Sequence, residues 1–302
     1  MTTYSQISSN KKKSITLMFS FLIFVIIVGW GFSYAFNNPG ILYFAVIFAS
    51  IQALFGYYAG DKITLAISGA KQIQKEDNPE LWNLVENLTI TTGLPMPKVF
   101  IITDSAPNAF ATGRDPHHSS IAFTSGILEK LDKNEIQGVA AHELSHIKNY
   151  DIRVMTLTVI LVGFIALLSD MFIRWTLWGN RRSNSEGGNN LALIGIVIGI
   201  VLAILSPIIA NLIKLAVSRK REFLADADGS LITRYPQGLA SALKKIAADR
   251  EPLEAANRAT AHLYISDPLK EHKGSTRGWF SNLFNTHPPV EERIKKLMEM
   301  AS

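Results

Sequence analysis

Residues Ala140 to Asp151 read AAHELSHIKNYD, and the organisation of the chain follows from where this stretch must lie. In a helix, residues four apart stand on one face about a turn from each other. His142 and His146 therefore present two imidazoles to one point, with Glu143 beside them. Two neutral nitrogen ligands, an open position for water and a carboxylate to take the water's proton are what a hydrolytic zinc site needs. Five residues are a short motif, so the reading requires a third ligand and a fitting context.

Composition narrows both. The 302 residues include no cysteine, which excludes a disulfide framework and any thiolate zinc site and leaves His, Asp and Glu as the strong ligands. Hydrophobic residues make up 48% and mean hydropathy is +0.17, a balance that points to a membrane protein. The net charge of +5 reads as positive flanks on membrane segments; there is no nucleic-acid-binding motif and no internal repeat.

N-terminal to the motif, residues 61–153 have the composition of a soluble part, with a helix over Pro79 to Thr92 and strands at Lys98 to Thr103, Ala109 to Thr112 and Ser120 to Thr124. The last two are separated by a loop from Gly113 to His118, and Asp132 with Glu135 forms a capping box for the helix of the motif. Further back, no charge occurs between Lys13 and Asp61. Asn37-Asn38-Pro39-Gly40 divides that run into apolar stretches of about 15–36 and 41–60, each long enough to cross roughly 30 Å of hydrocarbon. After the motif, Asp170 is the only charge between Arg153 and Arg174, and none occurs between Glu186 and Lys214, which reads as a second membrane hairpin. The expected parts are thus 1–60, a tail and hairpin; 61–153; 154–213, the second hairpin; and 214–302, soluble again with a helix near Pro236 to Arg250 and another after Pro289.

Geometry selects the third ligand. If the helix of His142 runs on into the third membrane segment, His146 lies about 12 Å before the apolar run at Val154. Glu222 stands a similar distance beyond Ile213, so two antiparallel helices leaving the membrane side by side bring it level with both histidines. Asp226, one turn on, is placed to accept from a ligand imidazole. His117 and His118 read as a solvated turn, and His262 and His272 as surface residues. His287 either sits before the last helix or reaches a developing oxyanion. Ala109, Phe110, Ala111 and Thr112 form an exposed strand edge on which an extended peptide can pair. Asn108 either donates to that peptide's carbonyl or caps its own turn.

HELSH followed by Asn149 and Asp151, SRKREFLAD from Ser218, PNAFATG from Pro107, and THPP with Arg293 together resemble the HtpX-type membrane zinc metalloproteases, related to the CAAX prenyl proteases, over nearly the whole chain. The resemblance implies a mainly α membrane protein with four transmembrane helices and a cytoplasmic, zincin-like α+β protease part. It implies one Zn2+ per chain on His142, His146 and Glu222, with Glu143 catalytic and Asp226 supporting; Asn108 and His287 carry over as further catalytic candidates. It implies an endopeptidase of the plasma (inner) membrane, multi-pass with both terminal segments cytoplasmic, that acts on polypeptides, chiefly misfolded membrane proteins, and has no nucleic-acid partner. The alternative is a catalytically silent zinc-binding membrane adaptor or chaperone, for which a closed set of four protein ligands would be expected.

Overall fold

The computed structural model describes residues 3–35, 37–179, 218–257, 259–268 and 288–301. Helices α1 (Thr3–Ala35) and α2 (Pro39–Ile67) pack as a hairpin whose turn is set by Asn38, which accepts from Gly40 N at 3.0 Å, with Pro39 in the first turn. Both are long and apolar enough to cross a membrane. Phe19, Ile23, Ile27, Phe44, Ile47, Ile51 and Phe55 stand exposed along them, a surface that hydrocarbon rather than water accommodates. The helix α1 begins well before the expected residue 15, because Gln6, Asn10 and Ser14, spaced four apart, bury a polar stripe against the rest of the molecule.

A small mixed sheet follows. Strands β1 (Lys71–Gln72), β2 (Lys98–Ile102), β3 (Ala109–Asp115) and β4 (His118–Thr124) form one sheet in the order β1-β2-β4-β3, with β2 and β4 parallel and β3 antiparallel at the edge. The connection between β3 and β4 is tighter than the expected Gly113 to His118 loop. Pairing continues past Gly113 to Asp115, whose carboxylate accepts from His118 N at 3.0 Å and closes the turn. Helix α3 (Pro79–Thr92) covers the sheet with Leu81, Leu84, Val85 and Leu88, as its apolar spacing demands, and α4 (Ser125–Lys130) follows β4.

Helix α5 (Lys133–Lys148) is the centre of the part that packs beyond the hairpin. Its capping box is present, Asp132 accepting from Glu135 N at 3.0 Å and Glu135 from Asp132 N at 2.8 Å, and Glu135 also takes Ser241 and Lys245, each at 2.6 Å. Val139, Leu144 and Ile147 pack among Val99, Ile121, Phe123 and Leu243. Helices α7 (Arg219–Thr233), α8 (Pro236–Ala248) and α9 (Val290–Met300) close the other side, with a short turn at Ala261–Leu263.

The helix carrying the histidines does not run on into the next segment. It ends at Lys148, and α6 (Asp151–Gly179) departs at 83° to it. Asn149 closes α5 and Tyr150 adopts a left-handed φ of +60°, its ring facing Lys11 and Arg153 at 4.5 and 5.1 Å. Helix α6 lies along the hairpin. Gly56 and Gly60, one turn apart, leave room for Ile160 and Thr156, which a Cβ at either glycine would meet within 3 Å. Among the described residues two helices qualify as membrane spans, or three if the bent α5–α6 pair counts as one. The fourth expected span falls in 180–217, outside the described residues, as does the side chain of Asp170.

Candidate metal centre

His142 and His146 lie one turn apart on the buried face of α5, and α7 packs across them with Glu222. The two Nε2 atoms are 3.2 Å apart; the Glu222 carboxylate oxygens stand 3.8 Å from that of His142 and 3.6 Å from that of His146. A tetrahedral zinc with bonds near 2.1 Å separates its ligands by about 3.4 Å, so the donor set, two imidazoles and a carboxylate, fits such an ion by spacing and by chemistry. Among the described residues these three are the group whose ligand atoms all lie within 4.8 Å of one another.

Each imidazole is oriented from behind. His142 Nδ1 is 3.0 Å from Asp226, and His146 Nδ1 is 3.1 Å from Asp151, which leaves both Nε2 atoms facing the centre. Asp226 also receives Arg293 in a two-pronged ion pair, Nε at 2.9 Å and Nη2 at 2.7 Å, while Nη1 donates to Ile265 O at 2.9 Å. The arginine is buried, and Glu222, 3.6 Å away, shares its charge. The spacing reasoning placed Asp226 but not Asp151 or Arg293 in the site. Asp151 sits five residues beyond His146, off the α5 face, and only the corner after Lys148 swings it under the ring.

The two ligands differ electrostatically. Burial lowers the His142 pKa despite Asp226, whose charge Arg293 already offsets. For His146 burial acts in the same direction, but the Asp151 hydrogen bond and the charges of Glu222, Asp151 and Glu143 prevail and raise it to about 9. Glu143, also buried, is pushed up to about 7, first by burial and then by Glu222, against the pull of His146, Arg293 and the Ala111 N–H.

A sequence profile of peptidase family M48 matches residues 75–301. The chain belongs to that family. It is 45% identical over 303 residues to a "Protease HtpX homolog" of Tropheryma whipplei strain TW08/27, with 99% of each chain covered. A protein of the same description from Lactobacillus acidophilus is 44% identical, with 98% of this chain and 99% of that one covered. The crystal structure of S. mikatae Ste24p shares the fold at a TM-score of 0.52 and 21% identity, over 97% of this chain and 67% of that one. The chain is thus a membrane metalloprotease of the M48 family.

Around this M48 centre the remaining expectations divide. The strand Ala109–Thr112 is the sheet edge, but it is not exposed: all four residues are buried. Ala109 O accepts from Ile265 N at 3.0 Å, Gly113 N donates to Thr156 Oγ1 at 3.1 Å, and Thr112 Oγ1 lies 2.8 Å from the same hydroxyl, so α6 and the segment after residue 260 cover both ends. Between them Ala111 N–H faces Glu143. Asn108 donates its amide to Ser266 O at 3.1 Å and accepts from Ala109 N at 3.1 Å, holding that covering segment in place. His262 is no surface residue; it is buried and donates to Met155 O at 3.2 Å, because its turn is tucked against α6. His118 is half exposed and pairs with Asp115, in keeping with a solvated turn. His272 and His287 lie outside the described residues.

Proposed function

We propose that the chain is a zinc-dependent endopeptidase that cleaves misfolded or damaged membrane proteins at the cytoplasmic face of the plasma membrane. The observation that carries the reading is the three-ligand cluster of His142, His146 and Glu222 with a buried carboxylate, Glu143, raised to about 7 beside it. Zinc held by these three residues would acidify a water and polarise the scissile carbonyl. Glu143, beside the ligand imidazoles, takes the water's proton and returns it to the leaving amine. Asp226 and Asp151 hold the imidazoles in the tautomer that leaves Nε2 free to ligate. A fourth protein ligand, expected of a silent adaptor, is not among the described residues of the cluster.

An extended peptide enters along β3, pairing at Ala111, the strand residue next to Glu143, with Ala109, Phe110 and Thr112 forming the strand that presents it. Asn108, on exchanging Ser266 O for the substrate, and His287 are assigned to polarising the scissile carbonyl. The cytoplasmic side is supported by charge. Residues 1–13, 61–153 and 214–302 hold 3, 9 and 15 of the 30 Lys and Arg, and the α1–α2 turn holds none.

The deciding experiment is proteolysis of an unfolded membrane-protein substrate by the detergent-purified chain. We expect cleavage that chelation removes and zinc restores. Glu143→Gln should keep stoichiometric zinc but cleave about 10²- to 10⁴-fold more slowly, the range for loss of a general base. Cleavage by Glu143→Gln at the wild-type rate would refute the mechanism.

A further inference from the structure

The sequence leaves Asn10 in the polar tail, just before Lys11, Lys12 and Lys13, with no evident task. In the fold it is completely buried, although an amide is among the less favourable side chains both for a helix interior and for burial. Its position explains the burial. The carboxamide nitrogen donates to Asn149 O at 2.9 Å and to Asp151 Oδ1 at 2.6 Å. Both neighbours are acceptors only, which fixes the amide's orientation.

Those two contacts sit on the corner that makes the metal centre. Asn149 ends the helix of the two histidines, and Asp151, through its other oxygen, orients His146. A carboxylate with one oxygen on an imidazole and the other loose can rotate; with the second oxygen pinned it cannot. Arg221 approaches the same oxygen at 3.6 Å, too far to replace a direct hydrogen bond.

We propose that Asn10 is a positioning residue of the metal centre: it acts through Asp151 on His146, so that the first apolar helix is part of the zinc site and not only its anchor. Asn10 touches neither substrate nor metal. Its effect is on the orientation of one ligand ring, the class of contact whose loss costs a metal site about 10- to 100-fold in affinity. The inference rests on His142, His146 and Glu222 being the metal ligands.

The test is zinc affinity by chelator competition, with the Co2+-substituted visible spectrum as a second readout, on full-length purified protein. Asn10→Ala should weaken zinc binding about tenfold and shift the cobalt bands. Asn10→Asp, which sets a second carboxylate against Asp151, should weaken it more. Ser14→Ala, one turn along the same buried stripe with its hydroxyl on Asn10 O, should leave affinity and spectrum unchanged. In an Asp151→Ala background the Asn10 substitutions should cost nothing further, since the connection is already cut. Unchanged affinity and spectrum in both Asn10 variants, or an equal loss with and without Asp151, would overturn the proposal and leave Asn10 a packing residue. Should Asn10→Ala fail to fold, Asn10→Ser, which puts no charge beside Asp151, carries the same comparison. A wild type that binds no metal would refute the ligand assignment instead, so the two failures are distinguishable.

Discussion

Asp226 stands between two buried groups that both donate to it, the imidazole of His142 and the guanidinium of Arg293. Asp226→Asn keeps the shape but turns one acceptor into a donor facing a donor. Zinc affinity should fall about 10- to 100-fold, read by chelator competition. Arg293→Met should instead appear in stability: Asp226 would be left buried without its counter-charge, a loss of about 3–5 kcal/mol in thermal or denaturant unfolding. His146 yields a pH prediction. Its pKa of about 9 means that in chelator-stripped protein the ring carries a proton at neutral pH. Zinc must displace that proton, so apparent affinity should rise about tenfold per pH unit from neutral and level off above about pH 9, with proton release in weak buffer. A flat profile would contradict the raised pKa. At this scale the sequence was informative where residues share one helical face, as His142, Glu143 and His146 do; Glu222 does join them, but not along the continuous helix assumed in placing it, which bends by 83° after Lys148. Asp151 and Arg293 entered only as motif residues of the resemblance, without a role, because their places depend on a corner and on a helix that returns from far along the chain.

Among the elements, α5 and α7 must approach closely for Glu222 and Asp226 to reach one helix turn. Gly229 permits this, since a Cβ there would lie 3.0 Å from His142 N and 3.2 Å from its Cα. Gly229→Ala should push α7 off α5, lowering stability by about 1–3 kcal/mol and weakening zinc binding together with it. If stability fell while affinity held, α7 would have moved without its carboxylates. Elements with strong local chemistry were legible: the first hairpin from its charge-free runs and Asn38-Pro39, α3 from its apolar spacing, α5 from its capping box. The two-residue β1 and six-residue α4 are too short to carry a period, and the β3–β4 turn was overestimated because Asp115-Pro116 reads as loop although pairing persists to Asp115.

For the whole molecule, the contact of α1 near Asn10 with the corner at Asp151 places the start of that helix and the metal site on one side of the apolar hairpin. The proposed topology is then tested by single cysteines at exposed positions: His117→Cys should resist an impermeant reagent in intact cells, and Asn38→Cys should react. The reverse pattern would put the protease part outside. The same corner governs how the gene can change. Two residues, Asn149 and Tyr150, join the ligand helix to α6, and the residue that opens α6 is the one holding His146. One inserted residue would turn α6 by about 100° and advance it about 1.5 Å, carrying Asp151 off the imidazole and Thr156 and Ile160 off the glycines of α2 in a single step. Length polymorphism should therefore be tolerated in the turn between the first two helices and forbidden here, where the coordinate frame of the bilayer and that of the metal are the same frame.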